Sequence, residues 1–131
     1  MQTINFGLHL TIDGYGGDKN KLNDKGLVME CLGRLPHLLS MHTLSKPEVY
    51  FAKGNHAKDP GGWSGFVVIE ESHISVHTFP MRGFLSADVY TCGESLDQEF
   101  VIEYFKHNFG LADVETNFIK RGTRYPAINI N

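Results

Sequence analysis

From Ser64 to Cys92 the chain reads as β-strand almost without interruption, and this constrains its fold more than any other feature. Residues 64–71 (SGFVVIEE) and 73–79 (HISVHTF) have strand character, as one bent strand or as a pair. Residues 84–92 (FLSADVYTC) then alternate apolar and polar side chains again. Connections this short cannot hold a crossover helix, so neighbouring strands must run antiparallel. A strand at 4–13 precedes this block, a short one at 48–52 adjoins it, and one at 113–120 closes the chain. Leu22, Leu27, Val28, Cys31, Leu32 and Leu35 recur at helical spacing, which predicts an amphipathic helix over 21–39 that ends near Pro36. A second helix is expected over 96–109, with Ser95 as N-cap, Gln98 completing a capping box and Gly110 as C-cap. The order β-α-β-β-β-α-β predicts an α+β two-layer sandwich, an antiparallel sheet with both helices on one face.

A chain of 131 residues fits a single domain spanning 1–131. Its net charge of −3 offers no basic field for nucleic acid. No apolar run reaches membrane-spanning length, and the start MQTINFGLHL is not a signal peptide, so a cytoplasmic protein is expected. Cys31 and Cys92 do not make a disulfide framework. Gly14–Gly17 (GYGG) reads as a turn and not as a phosphate cradle. A domain this small is expected to complete its active site by pairing with a copy of itself.

The stretch Glu70-Glu71-Ser72-His73-Ile74-Ser75-Val76-His77 packs two carboxylates, two hydroxyls and two imidazoles into eight residues. On a strand, His73, Ser75, His77 and Phe79 share one face, and Ile74, Val76 and Thr78 share the other, toward the core. Three readings follow. His73 and His77 lie about 13 Å apart along a strand, too far to share one metal ion, so no metal is expected. A polar row is commonly the wet face of a sheet. A serine beside an imidazole can attack a carbonyl, yet no Gly-x-Ser-x-Gly elbow is present. Taken singly, Cys92 reads as a small buried hydrophobe, Ser64 as the start of a strand, and His9 as a residue that packs or hydrogen-bonds locally.

The joint spacing is more specific. Glu71-Ser72-His73, then His77-Thr78-Phe79-Pro80, then Asp88-x-Tyr90-Thr91-Cys92-Gly93 resembles the small prokaryotic S-adenosylmethionine decarboxylases. Ser64, eight residues before Ser72, and the opening Gly7-Leu8-His9-Leu10 match as well. The resemblance implies a proenzyme. Ser72 Oγ would attack the Glu71 carbonyl to give an ester. β-Elimination and hydrolysis would then leave a β chain, 1–71, and an α chain, 72–131, that begins with a pyruvoyl group. That covalently bound group is the only cofactor implied, and it would form a Schiff base with the α-amine of a small-molecule substrate. The resemblance gives His77 as the base for elimination, Ser64 as its hydrogen-bonding partner in processing, and Cys92 as the proton donor to the carbanion. The processed αβ units would pair as a homodimer, and the product would feed polyamine (spermidine) synthesis.

Two positions depart from the family pattern. The glutamate that holds the ribose hydroxyls is replaced by Met81, and an aromatic residue suited to stacking on adenine is replaced by Lys58. Trp63 or Phe6 can stack instead. A thioether cannot accept two hydroxyl bonds as a carboxylate does, so a basic amino acid, L-ornithine or L-arginine, is an alternative substrate whose charged tail would meet Asp59 or Glu70. A non-catalytic regulatory paralogue is the second alternative.

Overall fold

The structure is a computed structural model and describes residues 3–55 and 57–130. His56, within the loop expected before Ser64, lies outside the described residues. The strands are β1 (Thr3–Ile4), β2 (Gly7–Tyr15), β3 (Glu48–Ala52), β4 (Gly62–Ile69), β5 (Ser72–Phe79), β6 (Phe84–Thr91), β7 (Asp113–Arg121) and β8 (Tyr125–Pro126). The helices are α1 (Lys19–Leu22), α2 (Lys25–Leu38) and α3 (Gln98–Phe109). Six strands form one antiparallel sheet in the order β3-β4-β5-β6-β2-β7. β1 and β8 make a separate two-stranded ladder. The expected α+β architecture is present.

The core lies between α2, α3 and one face of the sheet. Leu10, Ile12, Ile74, Val76, Leu85 and Val89 project from the strands and are fully buried. Val28, Leu32, Leu35, Phe105 and Phe109 meet them from the helices. Tyr104 ties the two helices by donating its hydroxyl to the Cys31 carbonyl at 2.9 Å. Phe105 is 1% exposed, so Phe105→Ala is expected to cost about 3–5 kcal/mol, readable as a lower denaturant midpoint. Among the described residues no helix is long and apolar enough to cross a membrane.

Several boundaries differ from the sequence expectations. Residues 64–79 form a pair of strands, which adds one strand to the expected order. The first long strand starts at Gly7, because Phe6 N–H turns to the Arg121 and Gly122 carbonyls and Ile4 pairs with Tyr125. The first helix is split. Asp18 caps α1 through the Asn20 and Lys21 amides, and Asp24 restarts the chain as α2 by capping Leu27 N–H. Pro36 falls within the last turn of α2 and does not end it. Asp97, not Ser95, caps α3 by accepting Phe100 N–H at 3.1 Å. Gly110 ends α3 in the left-handed conformation, as expected.

Candidate active site

Among the described residues no helix covers the second face of the sheet. Alternation places His73, Ser75, His77 and Phe79 of β5 there, while Ile74, Val76 and Thr78 are buried below. Asp88 sits at the centre of this open face. It accepts from His9 Nε2 at 2.5 Å, His73 Nε2 at 3.2 Å and the Ser75 hydroxyl. Arg121 donates to His9 Nδ1 at 2.8 Å and lies over the Tyr90 ring at 4.8 Å. The ligating atoms of His9, His73 and Asp88 fall within 4.8 Å of one another, a metal-like spacing. Arginine only donates, however, so His9 Nδ1 accepts and its proton sits on Nε2, pointing at Asp88. The set is thereby satisfied as a hydrogen-bonded network.

At one end of the sheet, β4 and β5 join through the two residues Glu70 and Glu71. Such short hairpins require positive φ, normally supplied by glycine or asparagine in the turn. Here neither glutamate adopts it, and the strain falls on Ser72, with φ +150°. For a residue with a side chain this conformation costs about 1–3 kcal/mol. The carbonyl just before it, that of Glu71, accepts Cys92 N–H at 2.7 Å. Register brings these residues together: Ser72 pairs with Thr91, so the end of β6 delivers Cys92 to the hairpin. Gly7 has to be glycine, because a Cβ there would overlap the Thr91 carbonyl oxygen beside Cys92. A cleft of about 520 Å³ opens here, lined by Phe6, Gly7, Cys92, Glu94 and Tyr125.

The two cysteines sort clearly. Cys31 is a core residue whose thiol is pushed up to about 11 by burial, whereas Cys92 is exposed at the sheet end.

The structure thus groups Ser72, Glu71, Cys92 and Phe6. It groups a second set elsewhere. Ser64 Oγ and His77 Nδ1 are hydrogen-bonded at 2.9 Å as a cross-strand pair. His77 lies five positions along β5 from Ser72, about 16 Å at ordinary strand rise. Within one chain it therefore does not reach the Ser72 hydroxyl or the Glu71 carbonyl. Trp63 points to the helix side of the sheet, where its indole N–H donates to Asn23 and Phe51 packs edge-on at 5.1 Å. Asp59 accepts Gly61 N–H at 2.8 Å, and with Lys58, Tyr15, Phe79, Arg82 and Phe84 it lines a 500 Å³ cavity at the end of β5 away from Ser72. Met81 is 68% exposed near this cavity end. Glu70 is exposed at the hairpin. His42, which sequence reasoning missed, holds Glu71 from the loop after α2; no periodicity or motif marks it.

A family profile described as S-adenosylmethionine decarboxylase matches residues 8–122. The chain belongs to the S-adenosylmethionine decarboxylase family. An S-adenosylmethionine decarboxylase proenzyme of Clostridium botulinum (strain Langeland) is 33% identical over 116 residues, 88% of this chain and 94% of that one. Another, of Pyrococcus horikoshii, is 36% identical over 122 residues, 93% of this chain and 81% of that one. The crystal structure of the adenosylmethionine decarboxylase of Aquifex aeolicus superposes with a TM-score of 0.78 at 27% identity, covering 97% of this chain and 99% of that one. The chain is accordingly of a decarboxylase family, and neither the basic amino acid alternative nor the regulatory paralogue is favoured by these relatives.

Proposed function

We propose that this chain is a proenzyme that cuts itself between Glu71 and Ser72, and that the processed enzyme removes the α-carboxylate of S-adenosylmethionine for polyamine synthesis. The observation that carries this reading is the Glu71–Ser72 peptide: strained at Ser72, with its carbonyl held by the Cys92 amide at 2.7 Å. Strain raises the ground state of the amide, and the N–H stabilises negative charge developing on the Glu71 oxygen during attack. Ser72 Oγ adds to that carbon, the C–N bond breaks and an ester forms. A base then takes the Ser72 α-proton as the ester C–O bond breaks, which frees the Glu71 carboxylate. Water converts the resulting enamine to a ketone and releases ammonia. The two products are 1–71 and 72–131, the cut form of what we take to be a single domain.

A pyruvoyl group at residue 72 would supply the electron sink that decarboxylation of an α-amino acid needs. The surroundings fit such a group: an exposed thiol, a bordering cleft and the aromatic ring of Phe6. Cys92, exposed at the border of the cleft, would return a proton to the carbon that loses carbon dioxide.

The base is His77, with Ser64 orienting its ring, and it acts on the partner copy in a homodimer. A separation of about 16 Å along one strand argues for action between copies, and the open face offers a surface for stacking. On it Phe66 and Val68 are each 36% exposed among half-buried polar groups. A two-fold axis lying between two such faces and across the strands reverses one sheet over the other. It brings the His77 end of one β5 over the Ser72 end of the other. The cavity with Lys58 and Asp59 would then adjoin the partner's Ser72 and contribute to substrate binding, with Phe6 contributing from the first copy.

Ser72→Ala is expected to leave a single intact chain of 14.7 kDa in which no fragment appears on storage. Cleavage of that variant would overturn the assignment. Carbon dioxide release from S-adenosylmethionine, L-ornithine and L-arginine, measured in parallel on the wild type, tests the substrate. Release from S-adenosylmethionine is expected, and release from a basic amino acid alone would overturn it.

A further inference from the structure

The turn that precedes Ser72 is gripped from outside the sheet. His42 donates its backbone N–H to Glu71 Oε1 at 3.1 Å, and its Nδ1 meets Glu71 Oε2 at 3.0 Å. Its carbonyl accepts Glu70 N–H at 2.8 Å. One residue therefore makes three hydrogen bonds to the two residues of the hairpin loop. The segment carrying His42 is itself fastened to the end of β4. Thr43 bridges to Ile69, Leu44 N–H donates to the Val68 carbonyl at 2.8 Å, and Ser45 Oγ accepts Val68 N–H at 3.0 Å.

This grip bears on the reactive peptide directly. The Glu71 side chain leaves the Cα adjacent to the scissile carbonyl, so fixing both carboxylate oxygens fixes that carbonyl's orientation toward Cys92 N–H. A Glu-Glu turn has no glycine to take up positive φ. Left free, it would relax, and Ser72 would return to ordinary extended geometry. We propose that His42 is a positioning residue for self-cleavage: by holding Glu70 and Glu71 it keeps the Glu71–Ser72 peptide in its strained, attackable form. This rests on the self-cleavage reading above.

The electrostatics agree. The bond to Glu71, then the charges of Glu71 and Glu70, raise His42 above the ordinary imidazole value, and the same bond lowers Glu71. Glu70, at 3.8 Å, and Glu71 are the charged groups within ion-pair reach of His42 among the described residues. Both partners of the clamp are solvent-accessible, which screens the pair. The charged clamp exists above the lowered titration of Glu71 and is lost as pH rises through the raised titration of His42. Cleavage should therefore lose this contribution on the alkaline side.

The test follows the first-order appearance of fragment 72–131 after cell-free pulse synthesis of wild type, His42→Ala and His42→Asn. Asparagine places a neutral N–H where Nδ1 stood. His42→Ala is expected to cleave about tenfold more slowly, with circular dichroism and Tm unchanged because the side chain is exposed. His42→Asn is expected to recover most of the rate and to lose the alkaline fall that wild type shows. His77 is common to all three, so its contribution cancels in the comparison. An unchanged rate in His42→Ala, or a His42→Asn chain as slow as His42→Ala, overturns the proposal. If alanine prevents folding, the His42→Asn pH profile alone decides: a retained alkaline fall overturns it. Absence of any fragment from wild type would instead sink the self-cleavage reading itself.

Discussion

A His77→Ala chain remains uncut when expressed alone, yet it is cut when co-expressed with Ser72→Ala. The first half follows from assigning His77 as the base for elimination. The second follows from geometry. His77 stands five positions from Ser72 on β5, and its partner Ser64 is held beside it at 2.9 Å. A strand cannot fold back on itself to close about 16 Å. In a mixed dimer the Ser72→Ala chain has no nucleophile but keeps His77, and it can serve the intact Ser72 of the other copy. Tagging the two chains differently and weighing the fragments reads this out. Cleavage confined to the His77→Ala chain is the expected pattern. No cleavage in the mixture would mean that His77 acts within its own chain or not at all.

Cys92→Ala should separate the two reactions. The contact that polarises the scissile carbonyl comes from the Cys92 backbone amide, which alanine keeps. Self-cleavage is therefore expected to continue near the wild-type rate. With the thiol proposed as the proton donor in decarboxylation, its loss is expected to cost what loss of a positioned general acid costs, about 10²–10⁴-fold. Intact mass and carbon dioxide release on the same preparation check both halves. A Cys92→Ala enzyme with undiminished turnover would remove the thiol from the mechanism. A variant that is not cut would mean that the side chain, beyond the backbone, serves processing.

The fold was legible because its signals are local. Alternation in 84–92 and the leucine spacing of α2 report which face is buried, and burial decides the element. The break between β4 and β5 stays open in the sequence between one bent strand and a pair, since Glu70-Glu71 carries no glycine, proline or asparagine to mark a turn. With no such residue in the turn, the strain moves to Ser72. Asp97 displaced Ser95 as the cap because both residues suit the role and only the backbone path selects between them. Ser72, His77 and Cys92 are singled out through their joint spacing and the family resemblance it carries. The strand rise already separates Ser72 from His77 by about 16 Å, but the grouping of Ser72 with Cys92 and of His77 with Ser64 depends on strand pairing, which spacing within one strand does not report. Trp63 looked available for stacking, but the pleat turns it toward Asn23 and the helices. The His42 clamp joins residues 29 positions apart and depends on a loop path that no periodicity encodes.

Mass spectrometry of the purified wild-type chain tests the central claim most directly. The account expects two species, 1–71 and 72–131, whose masses sum to that of the intact chain plus one water minus one ammonia, with the second blocked at its N-terminus by a ketone. A single species at 14.7 kDa, stable over time, would contradict it and leave the strained peptide at Ser72 without a reaction.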